Sequence, residues 1–405
     1  MPWRERSKMS LKHEFVMLAT QEGVNMSALC RRFEISRKTG YKWLRRYEAE
    51  GVAGLQERSR RPNHSPNRTP EAMEAVVCEL RRKHPEWGGR KLRRCLRNQA
   101  DQGTREFKSS EVPAASTCQA IVERHGLIGE ESAASSPTYK RFEKASPNEL
   151  WQMDFKGHFP MVDGGRCHPL TIVDDHSRFA VELSALGNER HGSVKDRLTR
   201  VFHRYGLPRR ILCDNSLPWG VPTAQQVGRP LYTHLNVWLF RLGVDVIHGR
   251  PYHPQTQGKG ERFHRTLKTE VLQYGSFHDL SECQERFNLF RSTYNLKRPH
   301  DALALAVPAS RYRPSGRSFP ERLPEISYSG DPQVRKVSAG GQIRFAGSKF
   351  YVGEAFDGYP VALRPHQPDD SAFAPLNTEH TQELTWSIYF CDKEIGVLQS
   401  TEPNQ

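Results

Sequence analysis

The chain has little cysteine chemistry to organise it. Its eight cysteines (Cys30, Cys78, Cys95, Cys118, Cys167, Cys213, Cys283 and Cys391) are scattered, and no C-x-x-C pair occurs. This excludes a disulfide framework and a structural zinc site, and reduced thiols are expected. Long apolar runs are missing as well. No stretch approaches the ~20 residues that a membrane-spanning helix needs, and residues 1–10 lack the apolar segment of a signal peptide. No membrane partner is expected, and the reading is a cytoplasmic protein free to reach the chromosome. Hydrophobic residues make up only 36% of the 405-residue chain, below the usual share of a globular protein. Polar linkers between several compact units would account for the shortfall.

What the chain has in excess is positive charge, with a formal net of +14. Residues 1–100 hold 23 Lys and Arg against 11 Asp and Glu, so +12 of that excess sits at one end. A polyanion is the natural partner, and nucleic acid is the commonest one. Residues 11–48 read as three helices. Leu11–Gln21 is followed by a break at Gly23-Val-Asn25, and Asn25 caps Met26–Phe33. Ser36 then caps Arg37–Glu48. This spacing predicts a helix-turn-helix domain over 1–50, whose last helix enters the major groove. That helix carries Arg37, Lys38, Lys42, Arg45 and Arg46, and Tyr41, Leu44 and Tyr47 are expected to face the core. The plain alternative is a small solvated helical bundle.

Residues 51–70 read as a basic linker. Its prolines oppose regular structure, and Arg58, Arg60 and Arg61 suit phosphates or a narrow minor groove; a merely solvated linker fits as well. Residues 71–127 predict a second helix-turn-helix or winged-helix domain. Its parts are Glu71–Lys83, a break at Pro85–Gly89, a basic helix Arg90–Arg97, and Ser116–His125. Residues 128–148 are a further polar linker.

From 149 the period changes. Leu150–Phe159, Pro169–Val173 and Phe179–Leu186 are strand-like, Val194–Tyr205 is helical, and Arg210–Cys213 is a short strand. Tyr232–Leu242 (helix), Val244–His248 (strand) and the helices Gly258–Leu272 and Ser281–Tyr294 follow. Hairpin-linked strands followed by alternating units fit an α/β ribonuclease-H-like core over 149–312. Short alternating segments separated by Gly, from Val334–Val337 to Gly396–Leu398, predict a small β-barrel over 325–400. The expected fold class is thus multidomain: all-α DNA-binding units, an α/β core and a C-terminal barrel.

Three carboxylates stand out within the core. Asp154 lies in a strand, Asp214 closes the strand Arg210–Cys213, and Glu261 opens a helix. Strand ends and helix starts are where open α/β folds place their sites. In the helix that Glu261 opens, Phe263, Leu267 and Val271 form an apolar stripe, while Glu261, Arg265 and Lys268 fall on another face. Lys259 and Arg262 flank Glu261 and, with Arg265 and Lys268, are candidate phosphate contacts. Carboxylate oxygens suit Mg²⁺, with Mn²⁺ as a substitute. A two-ion site would have Asp154 bridging and Asp214 and Glu261 each completing one ion. Taken one at a time, an Asp at a strand end is ordinarily a turn or cap residue. Asp174 and Asp175 read as a hairpin turn with Arg178 pairing locally. His253 and His264 read as packing or DNA-contacting residues, and Trp151 and Trp219 as core or stacking residues.

At these positions the chain resembles the integrase-type DDE transposases of bacterial insertion sequences, the IS481 family in particular. The resemblance rests on five motifs: Trp151-Gln-Met-Asp-Phe-Lys156, Asp174-Asp-His-Ser-Arg178, Asp214-Asn-Ser-Leu-Pro-Trp219, Gly258-Lys-Gly-Glu-Arg-Phe-His-Arg-Thr-Leu-Lys268 and Tyr294-Asn-Leu-Lys-Arg-Pro-His300. Together they cover 149–312. The 46 residues between Asp214 and Glu261 match the longer IS481 spacing. The chain departs from the family at Ser216, where Gly is usual, so the loop after Asp214 is expected to differ. The resemblance implies Asp154, Asp214 and Glu261 as the catalytic, metal-binding triad. It also implies an enzyme that cleaves and joins DNA at the terminal inverted repeats of its own element and inserts them into target DNA. Such a protein would act as a homo-oligomer on DNA, in the bacterial nucleoid, with no small-molecule substrate. A DNA-binding regulator without catalysis, or a plain nuclease, are the rival readings. A retroviral-type integrase is disfavoured because no His/Cys zinc module precedes the core.

Overall fold

Caps and apolar spacing set the first three helices. In the computed structural model, which describes residues 8–58, 68–128, 143–220, 232–248, 258–366 and 384–400, these are α1 (Lys8–Ala19), α2 (Met26–Arg32) and α3 (Arg37–Glu50). Asn25 Oδ1 accepts the N–H of Ala28, and Ser36 Oγ accepts that of Thr39, so both expected caps form. The core beneath them is Phe15, Val16, Leu29, Cys30, Trp43 and Leu55. Two expectations change here. The buried face of α3 is Gly40 and Trp43, whereas Tyr41 is exposed and Leu44 and Tyr47 are only half-buried. A side chain at position 40 would meet Cys30 Sγ at 2.6 Å and Phe15 Cζ at 2.9 Å, so glycine lets α3 approach its neighbours. The expected linker, in turn, begins as a 3₁₀ turn, Gly51–Leu55, with Leu55 wholly buried. Apolar burial holds this turn to the helical unit.

The chain divides into two compact units, Met1–Arg68 and Thr69–Gln405. The second opens with α4 (Glu71–Lys83), α5 (Gly89–Asp101) and α6 (Ala115–Arg124). Glu71 and Glu74 in the first turn of α4 and Arg81–Lys83 in its last complement the helix dipole. Val77, Leu80, Trp87, Leu92, Leu96 and Ile121 form its core. No strand occurs among the described residues of 69–128, so the unit has helices and no wing there.

Next comes a mixed sheet: β1 (Trp151–Phe155), β2 (Phe159–Pro160), β3 (Arg166–Asp174), β4 (Ala180–Leu186), β5 (Arg210–Cys213) and β6 (Asp245–His248). β1, β2 and β4 pair antiparallel with β3, whereas β1–β5 and β5–β6 pair parallel. The remaining helices are α7 (His191–Tyr205), α8 (His234–Arg241), α9 (Gly258–Glu270) and α10 (Leu280–Leu296). Alternate strand residues point to opposite faces. Trp151, Met153, Ile172 and Val181 pack with α7 and α8 on one side. Val173, Ala180 and Leu183 pack with Phe263 and Leu267 of α9 and Phe287 of α10 on the other. Antiparallel hairpins leading into parallel βα units are the expected ribonuclease-H-like arrangement.

The C-terminal strands are β7 (Gln333–Lys336), β8 (Gln342–Phe345), β9 (Ser348–Tyr351), β10 (Pro360–Pro365), β11 (Leu384–Phe390) and β12 (Lys393–Ser400). The expected barrel is not what they make. They form an open four-stranded sheet, in the order β12-β11-β10-β7, and a separate β8–β9 hairpin. Among the described residues β12 and β7 stay unpaired with one another, so the ladder that closure demands is missing. The sheet needs no closure to bury its apolar face. Phe356, Leu363 and Phe390 share one core with Leu235 and Leu239 of α8. All eight cysteines are free thiols. No helix among the described residues is long and apolar enough to cross a membrane.

Candidate active site

The register of two parallel strands brings the first two carboxylates together. Trp151 pairs with Ile211 and Gln152 with Leu212. Carried two residues on, the same register sets Asp154 beside Asp214 at the C-terminal ends of β1 and β5. The carboxyl of Asp154 records its surroundings. Burial first, then the charge of Asp214 and that of Glu261, push it up to about 7, against the pull of the Phe155 N–H and Lys156. The charges of Asp214 and Glu261 thus both reach the Asp154 carboxyl. The three carboxylates are not closed into a ligand set as they stand: among the described residues, no three Asp, Glu, His or Cys side chains are grouped closely enough to hold one ion.

Asp214 is turned toward its own loop instead. Ser216 Oγ lies 2.6 and 2.7 Å from its two oxygens, and its Oδ1 accepts the Ser216 N–H at 3.1 Å. Trp219 Nε1 donates to the same Oδ1 at 2.6 Å. The Trp219 ring is buried and stacks on Phe155 at 5.2 Å, which fixes it next to β1. Ser216, the residue that departs from the family, thus makes contacts that a glycine side chain lacks.

Glu261 is exposed in the first turn of α9, where the helix dipole favours an anion. Phe263 and Leu267 are wholly buried, so the expected stripe anchors the helix. Arg262, Arg265 and Lys268 are exposed beside Glu261, as a phosphate-binding face requires. Lys259, expected as a DNA contact, faces the core domain's own turn. Its side chain is 16% exposed and pairs with Asp175 of the turn after β3, because the start of α9 abuts that turn. Asp174 accepts the N–H groups of Asn148 and Ser177 and is a buried turn residue, as expected. Arg178 donates to Glu143 Oε2 at 2.8 Å.

His264 packs one turn after Glu261. Thr171 Oγ1 donates to Asp154 O at 2.9 Å, so its single proton is engaged there. His264 Nε2, 2.8 Å from the same oxygen, must then be the donor. Burial pushes His264 down to about 4 and keeps it neutral, which leaves Nδ1 as a lone pair 3.9 Å from Asp154 Oδ2. Sequence reasoning missed Thr171 and Gln152 as neighbours of the site. Gln152 was within reach, since residues two apart on a strand share a face.

On α3, Arg37, Lys38, Lys42 and Arg45 are exposed. Arg46 and Lys42 lie over the Trp43 ring at 5.2 and 4.7 Å. Arg58 pairs with Glu50. Arg60, Arg61 and His253 lie outside the described residues.

Family models match most of this framework. A helix-turn-helix domain matches residues 14–63 and a homeodomain-like domain 39–111. Integrase core domains match 144–254 and 242–308, and the C-terminal domain of IS481 family transposases matches 332–405. The chain thus carries helix-turn-helix domains, an integrase core and the C-terminal domain of IS481 family transposases. The chain is 25% identical over 253 residues to the 39.2 kDa protein of insertion element IS476 from Xanthomonas euvesicatoria, across 61% of its own length and 66% of that protein's. It is 25% identical over 188 residues to the 31.7 kDa protein of insertion element IS407 from Burkholderia multivorans, across 46% of its length and 60% of that protein's. Each alignment thus spans less than two thirds of the relative. The HTLV-2 integrase catalytic core domain, solved in complex with magnesium, superposes with a TM-score of 0.31 at 14% identity, over 42% of this chain and 99% of that one.

Proposed function

We propose that this chain is a DDE transposase that binds the terminal inverted repeats of an insertion sequence, cleaves DNA at the element ends and joins them to target DNA. The observation that carries the reading is the β1–β5 register that sets Asp154 beside Asp214, with the charge of Glu261 at the start of α9 also reaching the Asp154 carboxyl. Three hard oxygen donors whose charges oppose one another suit a divalent cation. Asp154, Asp214 and Glu261 would hold two Mg²⁺ ions, for which Mn²⁺ can substitute, supplying positive charge at the attacking and leaving oxygens. Arg262, Arg265 and Lys268 would bind the phosphates of the same strand. In cleavage a water oxygen bonds to phosphorus and the 3′ oxygen leaves as a hydroxyl. In joining that 3′-OH attacks a target phosphodiester, and the target's own 3′ oxygen leaves. The exposed basic face of α3 supports end recognition. Cutting two ends together calls for a homo-oligomer on the DNA, and the target calls for a place at the chromosome.

The test is strand transfer with Mg²⁺, labelled element ends and a plasmid target, comparing wild type with Glu261→Gln. Joined product from wild type alone, with end binding kept in both, is expected. End binding by wild type without cutting or joining, in Mg²⁺ or Mn²⁺, would overturn it. One observation favours a second reading, a DNA-binding regulator without catalysis: both Asp214 oxygens are engaged by Ser216. Joining that appears only in Ser216→Gly would decide for that reading.

A further inference from the structure

Lys259 and Asp175 form an ion pair withdrawn from water, with side chains 16% and 1% exposed. Neither belongs to the triad, and Asp175 has more than one tie. Its Oδ1 also accepts Gln152 Nε2 at 3.0 Å, and its Oδ2 accepts the Lys144 N–H at 2.8 Å. Its own N–H donates to Leu150 O at 2.9 Å, so the carboxylate is fixed from both sides. Gln152 completes the link: its Oε1 accepts the N–H of Gly260 at 3.0 Å. That amide belongs to the first turn of α9, whose N–H groups have no partner within the helix. One buried carboxylate thus holds two consecutive residues at the start of α9, Lys259 directly and Gly260 through Gln152. Glu261 is the next residue. Gln152 also lies on β1 two places before Asp154, so the strand carrying one carboxylate grips the helix carrying another.

We propose that Lys259, Asp175 and Gln152 are positioning residues that set where Glu261 stands relative to Asp154. This rests on the catalytic reading of the triad. It also removes Lys259 from the surface that binds DNA phosphates. A misplacement of about 1 Å in a reacting constellation costs on the order of 100-fold in rate, so a pin at the residues before Glu261 has leverage on the chemistry without touching DNA. The pair differs from a phosphate contact in a measurable way, since each phosphate neutralised adds about 0.9 to the slope of log K against log salt.

The full-length chain is tested as Lys259→Met, Asp175→Asn, their double variant and Lys259→Arg, with three readouts. Joining at saturating DNA is expected to fall about 10- to 100-fold in each neutralising variant, to fall no further in the double variant, and to be partly rescued by Lys259→Arg. The salt slope of end binding is expected to stay at its wild-type value. Amide hydrogen exchange is expected to rise across 258–264 and to stay unchanged in α7. A slope lower by about one in Lys259→Met, with joining by the bound complex intact, would make Lys259 a phosphate contact and overturn the proposal. So would unchanged exchange at 258–264. If Lys259→Met loses protection throughout, Lys259→Arg against wild type decides by the same local exchange. If wild type itself fails to join, the catalytic reading falls, while exchange and salt slope still show whether the pair holds α9.

Discussion

Asp154 carries the strain of the site in a single side chain. Its carboxyl is raised from an ordinary 3.8 to about 7, with burial the largest cause and Asp214 the next. The folded state therefore keeps this proton more tightly than the unfolded chain does. Its contribution to stability falls as pH rises from about 4 to 7, and the full penalty stands above 7. Asp154→Asn is expected to raise stability by roughly 2–4 kcal/mol at pH 8 and to do little at pH 4, since a tenfold change in proton affinity is worth about 1.4 kcal/mol. Thermal melts at the two pH values check this, and joining activity should vanish in the same variant. His300 acts in the opposite sense. It is buried edge-on against Tyr294, its Nε2 has no hydrogen-bond partner among the described residues, and burial, with Arg298 and Lys91, pushes it down to about 2. The unfolded chain binds this proton below about 6.5 and the folded chain does not. Its stabilising share is thus full above 6.5 and is lost as pH falls. Wild type should lose about 2–3 kcal/mol from this ring between pH 6.5 and 4, and His300→Phe should flatten that slope in melts. At this scale the sequence was most legible where a residue is charged. Asp154, Asp214 and Glu261 stood out by position and by the motifs around them, and Ser216 by its departure from those motifs, whereas Thr171 acts through one hydroxyl, which leaves no pattern in a sequence.

Elements were legible where one face is apolar and the ends are capped. Asn25 and Ser36 mark the starts of α2 and α3, and Arg210–Cys213 is the strand its short apolar run predicts. The errors have specific causes. Tyr47 packs against the core as expected, but Tyr41 and Leu44 drew part of the apolar face of α3 to the wrong side, because one residue that makes the contact, Gly40, has no side chain to count. Gly40→Val is expected to cost about 1–3 kcal/mol through overpacking against Phe15 and Cys30. Leu55 was lost among Gly and Pro, yet it is fully buried. Leu55→Ala should cost about 2–5 kcal/mol. Both changes should lower the denaturant midpoint of Met1–Arg68 and leave that of the second unit in place, as read by hydrogen exchange. The barrel failed for a different reason. Alternation identifies strands and the faces they bury, but closure depends on edge pairing, which no residue pattern in β7–β12 encodes.

At the scale of the molecule, charge is distributed by task. Nearly all of the excess, +12 of +14, lies in the first 100 residues, while the triad lies at 154–261 among mixed charges. Binding and chemistry should therefore respond separately to change. Arg37, Lys38, Lys42 and Arg45 are exposed on one helix. Replacing all four by Gln should weaken binding to element ends and lower the salt slope by roughly 3–4, at about 0.9 for each phosphate no longer neutralised. Arg262→Gln with Arg265→Gln should instead lower joining by the bound complex, with a smaller change in slope. Titrations of labelled ends at low and at moderate salt, run beside strand-transfer assays at saturating protein, read both quantities on one preparation. A four-residue variant of α3 that keeps the wild-type slope would move the end contacts to another basic helix, such as α5 with its exposed Arg90 and Arg94. In either case Glu261→Gln should bind with an unaltered slope or a steeper one, because it removes a negative charge facing the DNA and no contact to it.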